Sequence, residues 1–555
     1  MDRPRAKQSP ARAACDHLKQ IGRAVARLAI AGTLTLPFLA VSTATIAHAQ
    51  KQGGVLRVTH RDNPPSASIH EEATISTDMP FMAVFNNLVV FDPNSKQDRL
   101  DQIVPELATE WQWSADGRDL TFKLRDGVKW HDGKPFTSAD VKCTWDIVSG
   151  KVDGKMRKNP RKPWFINLRE ITTNGDREVT FHLKDPQPSF LAMLAGGFSP
   201  VYPCHVPAAQ MRTHPIGTGP FKFAEFRQNE SIKLVRNPDY WKPGKPYLDG
   251  IEYTIIPNRA TMVLALEAGK FDLSFTGELT PELVKDAQAQ APQLQCVVQP
   301  SNTQGNLVVN RDKPPFDDAR IRKAMALAID RKAFSDILSH GVDQIGGAML
   351  PPPEGLWGWS PEFRETVPGY SADVEHSRAE GRKLMQEAGY GPDKPLQIKV
   401  STRNIALYRD AAVILIDHLK SVYIQGELEP LDSSVWYARL ARKDYTVGMN
   451  VQGTGIDDPD VMFFENYTCG SERNYTGYCN RDVEAMFHRQ SMMTDIDARR
   501  KLVWEIDKTL QEDGARPVIY HEKGGTCWWP QVKGLKLAVN SIYNRWRFED
   551  VWLDR

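Results

Sequence analysis

The residues of this chain best suited to chemistry come in pairs, and each pair lacks the partner that would make it a catalyst. His521-Glu522, ahead of Gly524-Gly525, is an acid/base couple with no nucleophile supplied to it. His131-Asp132 could bind a metal or pass a proton, but it sits in a Trp-His-Asp-Gly turn and reads as a structural turn residue on the surface. His70-Glu71-Glu72 lacks the second His of a metalloprotease helix and reads as solvated loop. Gly217-Thr-Gly219 is followed by Pro220 rather than by a third Gly and a helix, so it reads as a tight turn into a strand, not a dinucleotide loop. Neither a Gly-x-Ser-x-Gly elbow, a His-Glu-x-x-His helix nor a P-loop occurs. The residues point to holding a molecule rather than transforming it, with no cofactor or metal implied.

Candidates for holding one cluster at predicted strand ends, where α/β sheets place ligands. Val451-Gln-Gly-Thr-Gly-Ile-Asp-Asp-Pro459 follows a strand and offers Gln452, Thr454, Asp457 and Asp458. The two carboxylates either hold an amine or cation through charge-assisted bonds or cap the following turn. Arg403, in Ser-Thr-Arg-Asn between a strand and a helix, is a cation for a ligand carboxylate or an idle loop residue. Trp357 and Trp359 either stack on a ligand or pack beneath a Pro-rich loop. Gln304 and Asn306 are weaker candidates on a strand beside a predicted hinge.

The ends and the composition bound where this happens. Residues 1–49 carry a basic region from Arg3 to Arg27, an apolar run from Leu28 to Val41 and Ala47-His-Ala49, the pattern of a cleaved secretory signal. The run is shorter than the ~20 residues that span a bilayer. Without residues 1–49 the formal charge is −4, too near neutral for a nucleic-acid surface. Six cysteines remain: Cys143, Cys204, Cys296, Cys469, Cys479 and Cys527. Cys469 and Cys479 bracket a polar loop, and in an oxidising compartment a local disulfide is the favoured reading; the other pairings stay open.

The remaining chain is too long for one core, so two or three lobes are expected. Period-2 alternation predicts strands at Leu120–Leu124 and Val179–Leu183, and further strands fall near 53–59, 232–235 and 252–256. Thr137-Ser-Ala-Asp140 reads as a capping box opening a helix. From about residue 300 strands alternate with helices (396–400, 406–422, 427–431, 435–441, 445–450), which predicts a mostly parallel α/β sheet. The C-terminal stretch 518–552 returns to strands and folds back on the first lobe, with hinge strands near 296–308 and 512–522.

Several blocks add a family resemblance. His214-Pro-Ile-Gly-Thr-Gly-Pro220 runs on to Arg236-Asn-Pro-Asp-Tyr-Trp241. Val104-Pro-Glu-Leu-Ala-Thr-Glu-Trp111 precedes Leu120 to Val141 with its Trp130-His-Asp-Gly133, and Phe316 to Asp330, Ala388-Gly-Tyr390 and Gly477-Tyr-Cys-Asn480 follow in order. Together, over about residues 53–552, these resemble the dipeptide/oligopeptide-type extracellular solute-binding proteins, family 5. The resemblance implies an α/β clamshell of the periplasmic binding protein type. Its first lobe would be 50–299 plus 516–555, with an inserted subdomain at about 90–213, and its second lobe 300–515. It implies a monomer that captures a peptide or peptide-sized polar solute in the periplasm and delivers it to an inner-membrane ABC permease with its ATPase. Peptide-binding relatives carry an Asp four residues before the position of Pro459; Gly455 stands there, which keeps a non-peptide ligand (an opine, a sugar-like molecule or a metal chelate) as the alternative. A secreted hydrolase using the same cleft is the third.

Overall fold

A computed structural model describes residues 50–152 and 155–555; the predicted signal lies outside the described residues. In the first lobe the strand Val55–His60 pairs in parallel with Gly250–Ile255, which pairs antiparallel with Ser231–Arg236, and that in turn with Phe221–Arg227. A separate antiparallel sheet orders Ala108–Trp113, Asp119–Leu124, Glu178–Leu183 and Leu168–Asn174. Its alternation is real: Leu120, Phe122 and Leu124 on one strand and Val179, Phe181 and Leu183 on the next all turn inward. Helix Ser138–Val148 covers that face and opens on the capping box of Thr137 and Asp140.

The Gly-Thr-Gly-Pro turn is packed where no side chain fits. A Cβ on Gly217 would fall 1.9 Å from the Val84 carbonyl oxygen, and one on Gly219 2.5 Å from the Phe85 nitrogen. Thr218 between them donates to Asn86 Oδ1 (3.0 Å). His131 sits in its turn as expected, but half-buried and tied down: its backbone N–H reaches the Gly217 carbonyl (2.9 Å) and its Nε2 the Gly219 carbonyl (3.0 Å). Burial lowers its pKa to about 4, so it is a neutral staple at physiological pH. His70-Glu71-Glu72 corrects the solvated-loop expectation. All three are buried; His70 Nε2 bonds the Pro200 carbonyl (2.8 Å), Glu71 takes a two-pronged bond from Arg212, and Glu72 accepts from Arg157 and Lys158. Their positive partners lie far away in sequence, which is why a lone acidic run looked solvated.

The second lobe is built on five strands ordered Ile424–Leu431, Leu396–Arg403, Val447–Gly453, Gln295–Val309 and Val518–Trp528. The first two pairings are parallel and the last two antiparallel, so the sheet is mixed rather than mostly parallel. The difference has a topological cause. Strand–helix–strand units stay within the lobe and run parallel, whereas the two long strands enter from and return to the first lobe, and so lie antiparallel. Leu273 bridges Val58 on one side and Trp528 on the other, joining the crossing strands to the first sheet. Beyond Trp528 the chain re-enters the first-lobe core through Ile542, Tyr543, Trp546 and Phe548.

The crossing pair is irregular where it passes between the lobes: its register shifts between Pro300 and Gln304, and Asn302 adopts a left-handed φ of 56°. Below that break Cys296 lies opposite Cys527 and is disulfide-bonded to it. Cys143 is bonded to Cys204, and Cys469 to Cys479. The 296–527 bond closes the longest loop of the three, a sequence separation of 231. Cys296→Ser with Cys527→Ser is expected to cost about 2–5 kcal/mol in denaturant unfolding. An unfolding midpoint unchanged from wild type would show that this bond does not form in the native protein.

Candidate functional site

The lobes meet over a small cavity of about 20 Å³, lined by Arg61 and Thr276 from the first lobe, Tyr408, Tyr437 and Val451 from the second, and Tyr543 from the returning C-terminal segment. Three carboxylates span the contact around it, Asp62 partly buried and Asp460 and Glu465 fully. Strand Leu396–Arg403 ends by aiming Arg403 across the cleft, where its Nη2 donates to Asp62 Oδ2 (2.6 Å), just beyond the first strand of the chain. The same guanidinium donates to Ser433 Oγ (2.9 Å) and Tyr408 Oη (2.9 Å), and Ser433 also donates to Asp62. Burial works against the Asp62 charge, but Arg403 and then Arg61 outweigh it and hold the carboxyl well below the usual range. Glu465 receives Arg161 from the inserted region (3.1 Å) and Arg473 from its own lobe (2.6 Å). Asp460 accepts from first-lobe Gln187 (2.9 Å) and Ser189 (2.6 Å) on one side and from second-lobe Ser491 (2.6 Å) on the other.

This geometry places the residues predicted from sequence. Arg403 reaches the cleft, but it is fully buried and its charge is taken by Asp62. Asp458 caps helix Pro459–Tyr467 by accepting from the Asp460 N–H, and Arg499 grips it with two bonds (2.8 and 3.0 Å). Asp457 accepts from the Leu356 N–H (3.0 Å), and burial pushes its pKa up to about 7. Trp357 lies in the second-lobe core under the Arg499 guanidinium (4.5 Å), its indole N–H on the Asp457 carbonyl; Trp359 packs on Tyr370 (5.2 Å). Both therefore pack beneath the loop. Thr454 accepts from Asn302 (2.6 Å), beside the break in the crossing strand. Gln304 faces Gln452, and Asn306 faces Asn450, across the paired strands. The oxygens of Gln304 and Gln452 and both polar atoms of Asn306 find no partner among the described residues.

Sequence reasoning missed Asp62, Tyr408, Tyr437, Glu465, Arg161 and Tyr543. It also missed Asp78, a fully buried carboxyl with both oxygens unpartnered among the described residues. Burial raises its pKa well above the ordinary carboxylate range, against the pull of Arg161 and Arg547. Glu522 is displaced as well, raised to about 8 by burial and then by the neighbouring Asp343 charge. Its neighbour His521 is fully buried with Nε2 on the Gly347 carbonyl (2.8 Å), and burial lowers it to about 4. The only signal in the sequence for the acids was position, since Asp62 and Asp78 fall soon after the first strand.

Comparison with known proteins decides what kind of molecule this is. The family model for the middle part of bacterial extracellular solute-binding proteins, family 5, matches residues 102–474. The chain belongs to that family. The Pseudomonas aeruginosa di/tripeptide-binding protein 2 is 27% identical over 455 residues, covering 77% of this chain and 82% of that one. Heme-binding protein A of Haemophilus influenzae is 25% identical, covering 81% and 84%. The Escherichia coli murein tripeptide binding protein superposes with a TM-score of 0.80 at 20% identity, over 91% of this chain and 99% of that one, and shares the two-lobed fold. Among the described residues no helix is long and apolar enough to cross a membrane.

Two expected outcomes test the site of this family 5 protein. Asp62→Asn leaves Arg403 buried without a counter-charge only when the lobes are shut, because an open cleft hydrates it. Losing one partner of a buried pair costs about 3–5 kcal/mol, so the substitution should shift the protein toward the open form and raise the radius of gyration in solution scattering. A scattering curve identical to wild type would remove the role given to this pair. The second outcome concerns pH. Glu522 has a folded pKa above its usual 4.5, so its stabilising effect is complete below that value and is lost as pH rises toward 8. The thermal midpoint should fall between pH 5 and pH 8, and Glu522→Gln should flatten that fall by roughly 2–4 °C. Parallel pH curves for the two proteins would contradict the assignment.

Proposed function

We propose that this protein is the periplasmic solute-binding component of an ABC importer, enclosing a peptide or peptide-sized polar solute and handing it to an inner-membrane permease with its ATPase. The lobes that close are read as 50–299 with 516–555, and 300–515. The observation that carries the proposal is the cavity lined from both lobes and shut by carboxylate contacts across the cleft. A solute that touches both walls stabilises the shut form by its differential affinity for shut over open. The break in the crossing strands at Pro300–Gln304 is where such a closure can bend. Relatives named for dipeptides, tripeptides and oligopeptides support a ligand of peptide size. His521 turns away from the cavity to a backbone carbonyl, which favours carriage over hydrolysis.

One observation keeps the non-peptide reading in play. Gly455 stands where the family resemblance implies an Asp for a peptide ammonium, and its carbonyl is already occupied by Ser541 (3.1 Å) and Asn544 (3.0 Å). A Cβ there would meet only Phe198 and Tyr543, each at 3.8 Å, so the missing carboxylate is a chemical difference and not a steric necessity. Glu522 is the carboxyl on the cavity wall that is left to accept a donor from the solute.

Native mass spectrometry of protein purified gently from its own cells tests both readings. The expected result is an added mass that leaves on denaturation. A mixture of peptides supports a peptide carrier, and a single non-peptide mass the alternative. No added mass, together with no thermal shift across a library of peptides and small polar solutes, would overturn solute capture.

A further inference from the structure

Arg516 is a buried guanidinium without a counter-ion. It is 2% exposed, makes one hydrogen bond, from Nη1 to Asn466 Oδ1 (2.9 Å), and has no carboxylate within ion-pair distance among the described residues. Its Nε and Nη2 have no partner there. Those two N–H groups lie on the same edge of the guanidinium plane, the edge that grips a carboxylate with two parallel bonds. An isolated buried charge is costly enough that such groups are paired or bound to something.

Its surroundings deepen the imbalance. The Arg516 guanidinium lies 5.5 Å from the Tyr475 ring and that of Arg473 6.0 Å from the same ring. Arg473 shares Glu465 with Arg161, so one carboxylate serves two guanidinium groups. Three buried arginines thus face one buried glutamate, and Asp78 is kept from offsetting them by its own burial. Burial, and beyond it the Arg473 charge, lowers the pKa of both Arg161 and Arg516, as expected of cations crowded together. The cluster lies one side-chain layer behind the cavity wall: the Arg161 guanidinium sits over Phe198 (3.7 Å), which packs on Tyr543 (4.5 Å), and Tyr475 packs in the apolar cluster that Tyr437 joins, Tyr543 and Tyr437 both lining the cavity. Asn306, with both side-chain atoms free, is close in the chain path to Arg516, since the Leu307 N–H bonds the Pro517 carbonyl (3.0 Å).

We infer that Arg516, flanked by Arg473 and Arg161, forms an anion pocket beside the interlobe cavity that takes a carboxylate of the bound solute. The inference rests on the reading of the protein as a solute carrier and narrows it: the solute is anionic. A neutral solute of the same size leaves the Arg516 edge empty when the lobes shut, and is discriminated against for that reason.

The test compares matched acids and amides on ligand-stripped protein: Ala-Glu against Ala-Gln, and glutarate against glutaramide, by calorimetry, with inorganic phosphate and chloride as controls. The acid of at least one pair should bind about tenfold or more tightly than its amide. Arg516→Gln should erase that preference while keeping a native circular-dichroism spectrum. The wild-type comparison stands alone if the variant does not fold. Equal binding of acid and amide would overturn the pocket while leaving solute capture intact. Binding of phosphate or chloride with no preference among the organic pairs would make it an inorganic-ion site and overturn the assignment to the solute. Binding of none of these probes would overturn the pocket, and solute capture would then stand or fall on the mass-spectrometric result alone.

Discussion

The shut form of this protein depends on a condition that buried charge imposes: each charge sealed into the cleft must find an opposite one there. Arg403 and Asp62 meet that condition across the lobes, with Ser433 and Tyr408 filling the remaining bonds of the guanidinium. Neither residue has that partner when the cleft opens and water enters. The pair therefore adds little to folding of either lobe and acts mainly on the balance between open and shut. Asp460 and Glu465 behave alike, because each accepts bonds from both sides of the cleft. Closure in this chain is an electrostatic fit before it is an apolar one.

Such a fit needs lobes that move as units, and the framework supplies them. The two crossing strands are locked to each other at Cys296–Cys527 on the first-lobe side and embedded in a five-stranded sheet on the other. Between these fixed parts the ladder breaks near Asn302, whose side chain is bonded to Thr454 of the second-lobe loop. That loop continues through Gly455, Asp457 and Asp458 into a helix carrying Asp460 and Glu465. One short stretch of chain thus joins the flexible point to two of the three carboxylates that span the cleft.

The sequence announced the framework far better than the contacts. Alternating strands and the Thr137 capping box are local patterns, and the structure carries them. Parallel pairing was overcalled because the direction of the crossing strands depends on where they come from, which no local pattern encodes. Arg403 was placed at the cleft from its position at a strand end, yet its partner Asp62 lies 341 residues away and could not be found by spacing. Asp457 and Asp458 were read as either ligand groups or caps. Asp458 is a cap held by Arg499, again a distant partner. Asp78, Arg161 and Arg516 carry no motif at all; what distinguishes them is burial without a full set of partners, a property of the folded chain alone.

The same distinction bears on what the cleft can select. A site that satisfied all its own polar groups could admit solutes by shape, and an apolar wall discriminates weakly, by about 1–3 kcal/mol per methylene. Here the interior leaves specific groups without partners among the described residues: the Asp78 carboxyl, the amides on the paired strands and the Arg516 edge. A solute lacking the matching atoms leaves them buried and unpaired, which penalises the wrong molecule more than it rewards the right one. Replacing an Asp with Gly455 removes one such demand from the loop, while Asp78 and Arg516 place others elsewhere in the interior. Within one family fold, ligand choice can therefore shift without any change in the strands that carry it, simply by moving which buried charge is left open.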